Sequence, residues 1–428
     1  MHHNRFKKAS WINRTNVYEV NLRQYSAAGT INAFIPHLPR LKSMGIDTLW
    51  FMPLTPIAVK NRKGNLGSQY ACSDYMAISD EYGTVDDFKQ FVELAHQQGF
   101  KVIVDWVANH TGWDHVWTVS NPAYYKIDPQ TNDFKIASGM DDIIELNYDN
   151  PELRSAMIEA MRYWITTFDI DGFRCDLAFW VVLDFWVEAR AALENTKTLF
   201  WLAENDGIEN AHYYEAFDAC YTWTWMHKTA EFYKHHWHVD ALREILYQYQ
   251  QAGEEQDLKL WFTTNHDENS WNGTEYEKYG DAAKAFAVFS CTWNGIPLIY
   301  SGQELPNLKR LAFFEKDVIE WNGSYAMHDF YQKLLNLKAE HAALVAGDSA
   351  VTTYLLNTNA QHQILAYLRE CGSAAVVVVL NMSNHAAEFE IFDEQAKGIF
   401  TSLFEEKMVQ LDGKKWSLAP WEYVVLYR

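Results

Sequence analysis

The stretch KVIVDWVANH, Lys101–His110, decides the fold. Its first seven residues are apolar almost throughout and rich in β-branched side chains. That is the pattern of a strand covered on both faces, as in a parallel sheet. It then breaks into Asn109 and His110, polar groups that would be costly at a half-buried strand end unless hydrogen-bonded. Working outward, a helical pattern precedes it at Val85–Gln98 and stops at Gly99, and another strand lies at Thr48–Leu54. Downstream, a helix at Pro151–Phe168, with proline in its first turn, leads to a strand at Gly172–Leu177.

The same alternation extends over most of the chain. Strands are predicted at Val17–Arg23, Thr48–Leu54, Lys101–Val107, Gly172–Leu177, Thr198–Ala203, Cys220–Trp225, Lys259–Thr264 and Pro297–Ser301. Helices are predicted at Ile31–Met44, Val85–Gln98, Pro151–Phe168, Val182–Leu193, Ala241–Gln251, Ala282–Trp293 and His328–Glu340. Eight βα units fit an α/β fold closed into a (β/α)8 barrel over residues 1–345. A doubly wound open sheet is the alternative, but no glycine-rich phosphate turn follows Arg23-Gln24-Tyr25. Residues 108–150 carry no strong periodicity and read as a short, reduced lid inserted after strand 3 over the catalytic face. From 346 to 428 the runs are short, alternating and turn-bounded, which predicts a C-terminal antiparallel β-sandwich domain.

The 428 residues include 36 basic and 56 acidic side chains, a net charge of −20, and 18 Trp. A balance so acidic argues against nucleic acid as a partner, while many aromatic faces suit sugar rings as well as cores. Five cysteines with no CxxC pair signal neither a disulfide framework nor a zinc site. No run of 18 apolar residues predicts a membrane span. The N-terminus has no apolar leader core, which predicts a cytoplasmic location unless a leader has been trimmed.

Chemistry-bearing residues cluster where strands end. Asp105, Asn109 and His110 follow strand 3, Arg174 and Asp176 end strand 4, Glu204 ends strand 5, and His266 and Asp267 end strand 7. In a barrel these ends share one face, where active sites form. Arg174 and Asp176 are two apart and point the same way on a strand, so the guanidinium can hold the carboxylate ionised. Three acids at one mouth are what glycoside hydrolysis requires: a nucleophile and an acid about 5–5.5 Å apart give retention.

DWVANH (Asp105–His110), DGFRCDLA (Asp171–Ala178), LAEN (Leu202–Asn205) and TNHDE (Thr264–Glu268) resemble the four signature regions of the α-amylase family of glycoside hydrolases, family 13. They stand in the family's order. The resemblance implies a retaining hydrolase of α-glucosidic bonds, mainly α-1,4, acting on starch-like glucans or maltooligosaccharides. It implies that Asp176 is the nucleophile, Glu204 the general acid/base, and Asp267 the acid that binds sugar hydroxyls. It also implies that Arg174 orients the nucleophile, Asp105 supports Arg174, His110 and His266 bind hydroxyls, and Tyr70 stacks on the sugar ring.

Two departures bear on specificity. Many α-amylases carry Lys-His after the nucleophile; Phe179-Trp180 stand there and would offer a stacking surface to the leaving group. Ile144-Glu145-Leu146-Asn147, followed by Tyr148-Asp149-Asn150-Pro151, is reminiscent of oligo-1,6-glucosidase and neopullulanase relatives. Transglycosylation and α-1,6 cleavage therefore stand as alternatives with the same acids. No cofactor is needed for the chemistry. Asn109 matches a calcium-binding position of many relatives, so a structural calcium is an expectation, completed by Asp114, Asp141 or Asp142. Surface solvation is the competing reading of those acids. Oligomeric state is not encoded in any readable pattern.

Overall fold

The computed structural model describes residues 6–428. Eight parallel strands close into a barrel. We number them β1 (Val17–Val20), β2 (Thr48–Phe51), β3 (Lys101–Trp106), β4 (Gly172–Cys175), β5 (Phe200–Asp206), β6 (Ala219–Tyr221), β7 (Leu258–Trp261) and β8 (Ile296–Tyr300). Each pairs with its sequence neighbours, and β8 closes on β1 with Val17 opposite Leu298.

The strand period of two sorts the side chains. Val17, Trp50, Ile103, Phe200, Leu202, Ala219, Leu258, Leu260, Ile296 and Leu298 fill the barrel interior. Tyr18, Leu49, Val104, Phe173, Trp201 and Ile299 face the surrounding helices. Two residues beyond the inner layer, on the same inward face, come Glu19 over Val17, Asp105 over Ile103, Arg174 over Gly172 and Glu204 over Leu202. Strand register thus stacks the polar groups directly on the barrel core. Gly172 is required by close approach: a Cβ there would lie 2.1 Å from the Phe200 carbonyl oxygen.

The eight-stranded reading stands, with local corrections. β1 ends at Val20, and Leu22–Tyr25 is a helical turn rather than strand. The expected helix Ile31–Met44 is three short pieces, Ile31–Phe34, Ile35–His37 and Leu38–Ser43, because Pro36 and Pro39 each remove a backbone donor. The strand predicted at Cys220–Trp225 ends at Tyr221, and a helix unforeseen from the sequence runs Trp223–His235. Its aromatic start mimics β propensity, but Trp225, Met226, Thr229 and Phe232 are buried at helical spacing.

The segment after β3 is not structureless. His110–Gly112, Ile136–Ala137 and Met140–Glu145 form a three-stranded antiparallel sheet beside the barrel mouth. At the C-terminus a six-stranded antiparallel sheet is joined by a two-stranded ribbon, Ala387–Phe389 with Trp416–Leu418; the second of these strands was not foreseen from the sequence. The strands Ile364–Cys371 and Ala374–Asn381 read as continuous apolar runs because both faces are covered. Leu365, Tyr367, Val376 and Val378 belong to the large core of the barrel's helical layer. Ile364, Ala366, Val377 and Val379 pack with the ribbon's Phe389 and Leu418. Tyr367 Oη pairs with Thr292 Oγ1 at 2.6 Å, and Arg369 donates to the Trp293 and Val345 carbonyls, which fixes this domain to the barrel.

Candidate active site

The C-terminal ends of the strands open into a cavity of about 430 Å³ lined by Tyr70, His110, Asp176, Glu204, His266 and Asp267. All six were singled out from the sequence, and they come from five separate segments. Beneath them Arg174 is fully buried and organises the floor. Its Nη1 donates to Asp105 Oδ1 and to Asp176 Oδ1, both at 2.9 Å. Its Nε donates to Tyr221 Oη at 3.1 Å. Its Nη2 lies 2.7 Å from Glu204 Oε2, an ion pair outside hydrogen-bonding angles. One planar fork therefore ties three carboxylates together, which a lysine could not do.

The two oxygens of Asp176 differ. Oδ1 is held by Arg174, while Oδ2 is buried with no hydrogen-bond partner among the described residues. Immediately after it Leu177 adopts φ +39°, a left-handed conformation that costs a branched residue about 1–3 kcal/mol. That turn aims the Leu177 N–H at Glu204 Oε2, 2.8 Å away. Strain at this one residue thus positions the carboxyl of β5 against that of β4.

Burial, then the Glu204 charge, pushes the Asp176 carboxyl well above the ordinary carboxylate range, and Arg174 opposes them. Burial also raises Asp105, against the pull of Arg174. Clustered acids of this kind retain a proton that isolated ones would lose, and the proton belongs to the group as a whole. The site can thus hold a neutral acid beside a carboxylate.

The histidines are set apart by their neighbours. His266 Nδ1 pairs with Glu19 Oε1 at 2.5 Å and Nε2 with Tyr70 Oη at 2.8 Å. Burial disfavours its charge, but Asp267 and Glu19 outweigh it and hold the pKa up at about 9. His266 is therefore an imidazolium at neutral pH. His110 has no such partner, and burial pushes it down to about 4. Its Nε2 is buried without a partner, a neutral imidazole ready for a hydroxyl. Tyr70 donates to Asp105 Oδ2 at 3.0 Å and stacks on His266 at 5.3 Å and 15°. Asp267, with its side chain 37% exposed, is open to the cavity.

Several lining residues were missed from the sequence. Phe313, Phe314 and Trp271 form an aromatic wall, with Phe313 parallel to Tyr70 at 6.2 Å and Trp271 5.4 Å from Phe313. Lys63, Met140 and Asp142 also line the cavity. Trp271, Phe313, Phe314 and Lys63 lie on segments without periodicity, Met140 and Asp142 on the strand Met140–Glu145, and Asp142 alone of these was named from the sequence, as a calcium ligand.

Two expectations are corrected. Phe179 and Trp180 do not line the cavity. The left-handed Leu177 turns the chain into the one-turn helix Ala178–Trp180, leaving Phe179 40% exposed outside the site. The residues named for calcium do not fit the ion. Asn109 Nδ2 faces His110 Nδ1 at 3.3 Å. Asp114 accepts the backbone N–H groups of Val59 and Lys60. Lys63 Nζ sits between Asp142 and Asp141 at 2.7 and 3.0 Å, so an ammonium already occupies the place between the two carboxylates.

The family model for the α-amylase catalytic domain matches residues 4–136 and 118–342. The chain belongs to the α-amylase family of glycoside hydrolases. The maltogenic α-amylase of Bacillus acidopullulyticus is 24% identical over 93% of this chain and 70% of its own length. A cyclomaltodextrinase of a Bacillus species is 25% identical over 82% of this chain and 65% of its own. The chain thus spans about two thirds of these relatives. Among solved structures, a noncanonic maltogenic α-amylase from Thermotoga neapolitana superposes with a TM-score of 0.88 at 27% identity, covering 97% of this chain and 98% of that one.

Proposed function

We propose that this protein hydrolyses α-glucosidic bonds of short maltooligosaccharides with retention, through a glucosyl ester on Asp176. The observation that carries the reading is the shared guanidinium: Arg174 holds Asp176 Oδ1 and faces Glu204 Oε2, while Asp176 Oδ2, on a residue that lines the cavity, is left without a partner among the described residues. Oδ2 attacks the anomeric carbon as Glu204 protonates the departing oxygen. Glu204 then takes a proton from water, which attacks the same carbon and releases Asp176. Asp267 binds hydroxyls whose hydrogen bonds tighten as the sugar becomes cationic and flattened, while the His266 imidazolium, its two N–H groups engaged by Glu19 and Tyr70, holds Tyr70 in place. Neutral His110 offers a further hydroxyl contact, and Tyr70 lies under the ring.

The size of the cavity, about 430 Å³, is at the low end of ligand pockets and suits a few glucosyl units rather than a long bound chain. Relatives named maltogenic amylase and cyclomaltodextrinase support the same substrate class. A panel of maltotriose, cyclodextrin, starch, pullulan and isomaltose, read by chromatography, tests this. Rapid cleavage of the first two with α-configured maltose or glucose as product is expected. A preference for isomaltose would favour the α-1,6 reading, and products longer than the substrate would favour transfer.

A further inference from the structure

A second group of chemically capable side chains lies outside the active-site cavity, at the seam between the barrel and the C-terminal sheet. His238 and Asp240 flank the start of the helix Asp240–Gln251, and His362 lies in the turn before the strand Ile364–Cys371. One potential ligand atom from each lies within 4.8 Å of the other two. His362 Nδ1 meets Asp240 Oδ2 at 2.6 Å, and the two imidazole rings are tilted 36° to one another with centroids 4.8 Å apart.

We propose that His238, Asp240 and His362 form a site for a transition-metal cation that clasps the barrel to the C-terminal domain. Two imidazoles and one carboxylate make a donor set for zinc, copper or nickel; calcium and magnesium favour oxygen ligands throughout. Zinc bonds of about 2.0–2.2 Å require the donors to close from the present span by a small rotation of side chains. All three side chains are exposed, with room to make it. The backbone carrying them is fixed. The Val239 N–H donates to the His362 carbonyl at 3.0 Å, and Val239 itself is fully buried. Arg243 donates to the Gln361 and Ile364 carbonyls and, at 3.2 Å, to the other oxygen of Asp240, leaving Oδ2 turned toward His362. An adjoining cavity of about 690 Å³, lined also by His236 and His385, gives water access for the remaining coordination positions. An exposed His–Asp pair alone would contribute little to stability. The third ligand, arriving beside the pair on a rigid frame, is what singles out this place.

The test is calorimetric titration of the full chain with zinc chloride after chelator treatment, with cobalt as a visible-absorption probe of the ligand field. His2 and His3 are changed to Gln first, so that the N-terminal histidines add no signal. One zinc per chain is expected, with a rise in Tm, since an ion that binds only the folded state stabilises it. His238→Gln and His362→Gln are each expected to weaken binding by about tenfold or more and to abolish the cobalt bands, with maltotriose turnover without added metal unchanged. The proposal is overturned if zinc does not bind, if the His238→Gln/His362→Gln double variant binds it as tightly, or if calcium binds equally well at the same stoichiometry.

Discussion

Arg174 grips one oxygen of Asp176, Oδ1, from 2.9 Å and leaves Oδ2 with no partner among the described residues. The asymmetry gives the carboxyl one anchored atom and one reactive atom. It also makes Arg174 a positioning residue for three acids at once. Arg174→Lys keeps the charge but loses the fork. We expect kcat to fall by about 10²-fold or more, as for a misplacement of about 1 Å. The hydrogen bonds that lysine cannot reproduce leave buried acceptors unsatisfied, at about 1–3 kcal/mol each, so the urea midpoint should drop as well. Lysine restoring near-normal kcat would show that the planar geometry is not needed.

Asp176→Asn separates chemistry from folding. Turnover should fall by about four orders of magnitude or more, as when other covalent nucleophiles are removed. Stability should not fall, because burial and the Glu204 charge already disfavour the Asp176 carboxylate. Differential scanning calorimetry beside the kinetics checks both. A Tm well below that of the parent would mean that the acid serves the fold.

His266 sets an alkaline limit. Its folded pKa of about 9 stands above the ordinary 6.5, so its contribution to stability is complete below about pH 6.5 and lost as pH rises through 9. The difference is on the order of 3 kcal/mol. Urea melts of the parent and of His266→Gln, run from pH 6 to 10, should converge as pH rises. kcat/KM of the parent should decline with an apparent pKa near 9. Parallel stability curves would contradict the charge assignment.

The aromatic wall predicts a binding effect. Trp271→Ala removes a face worth about 1 kcal/mol, so KM for maltotriose should rise about fivefold with little change in kcat. A fall in kcat at constant KM would place Trp271 in the chemistry instead.

The pairing of Lys63 with Asp142 and Asp141 predicts independence from calcium. Adding calcium to chelator-treated protein should shift neither Tm nor activity, whereas Lys63→Ala should lower Tm by leaving the buried Asp142 uncompensated. A calcium-dependent rise in the Tm of the parent would contradict the misfit of these residues to the ion.

The site was legible wherever chemistry rides on strand period. Asp105, Arg174 and Glu204 each stand two residues beyond an inward-facing core position, so β3, β4 and β5 announce them. Legibility ended where backbone geometry is not periodic. The left-handed turn at Leu177 carries Phe179 and Trp180 out of the cavity, and no residue type there requires that turn. Phe313, Phe314 and Lys63 arrive on long loops whose path is set by tertiary contacts. The helix Trp223–His235 was hidden because its opening aromatics favour strands locally, while its buried face is apparent only at 3.6-residue spacing.

The account rests on a covalent bond to Asp176, which can be weighed directly. The protein is quenched in acid during turnover of a fluorinated α-glucosyl fluoride, a donor whose second step is slow, and digested for peptide mass spectrometry. One fluoroglucosyl group on the peptide containing Asp176, absent from Asp176→Asn, is the predicted result. A label on another carboxylate, or no label with β-configured product, would contradict it.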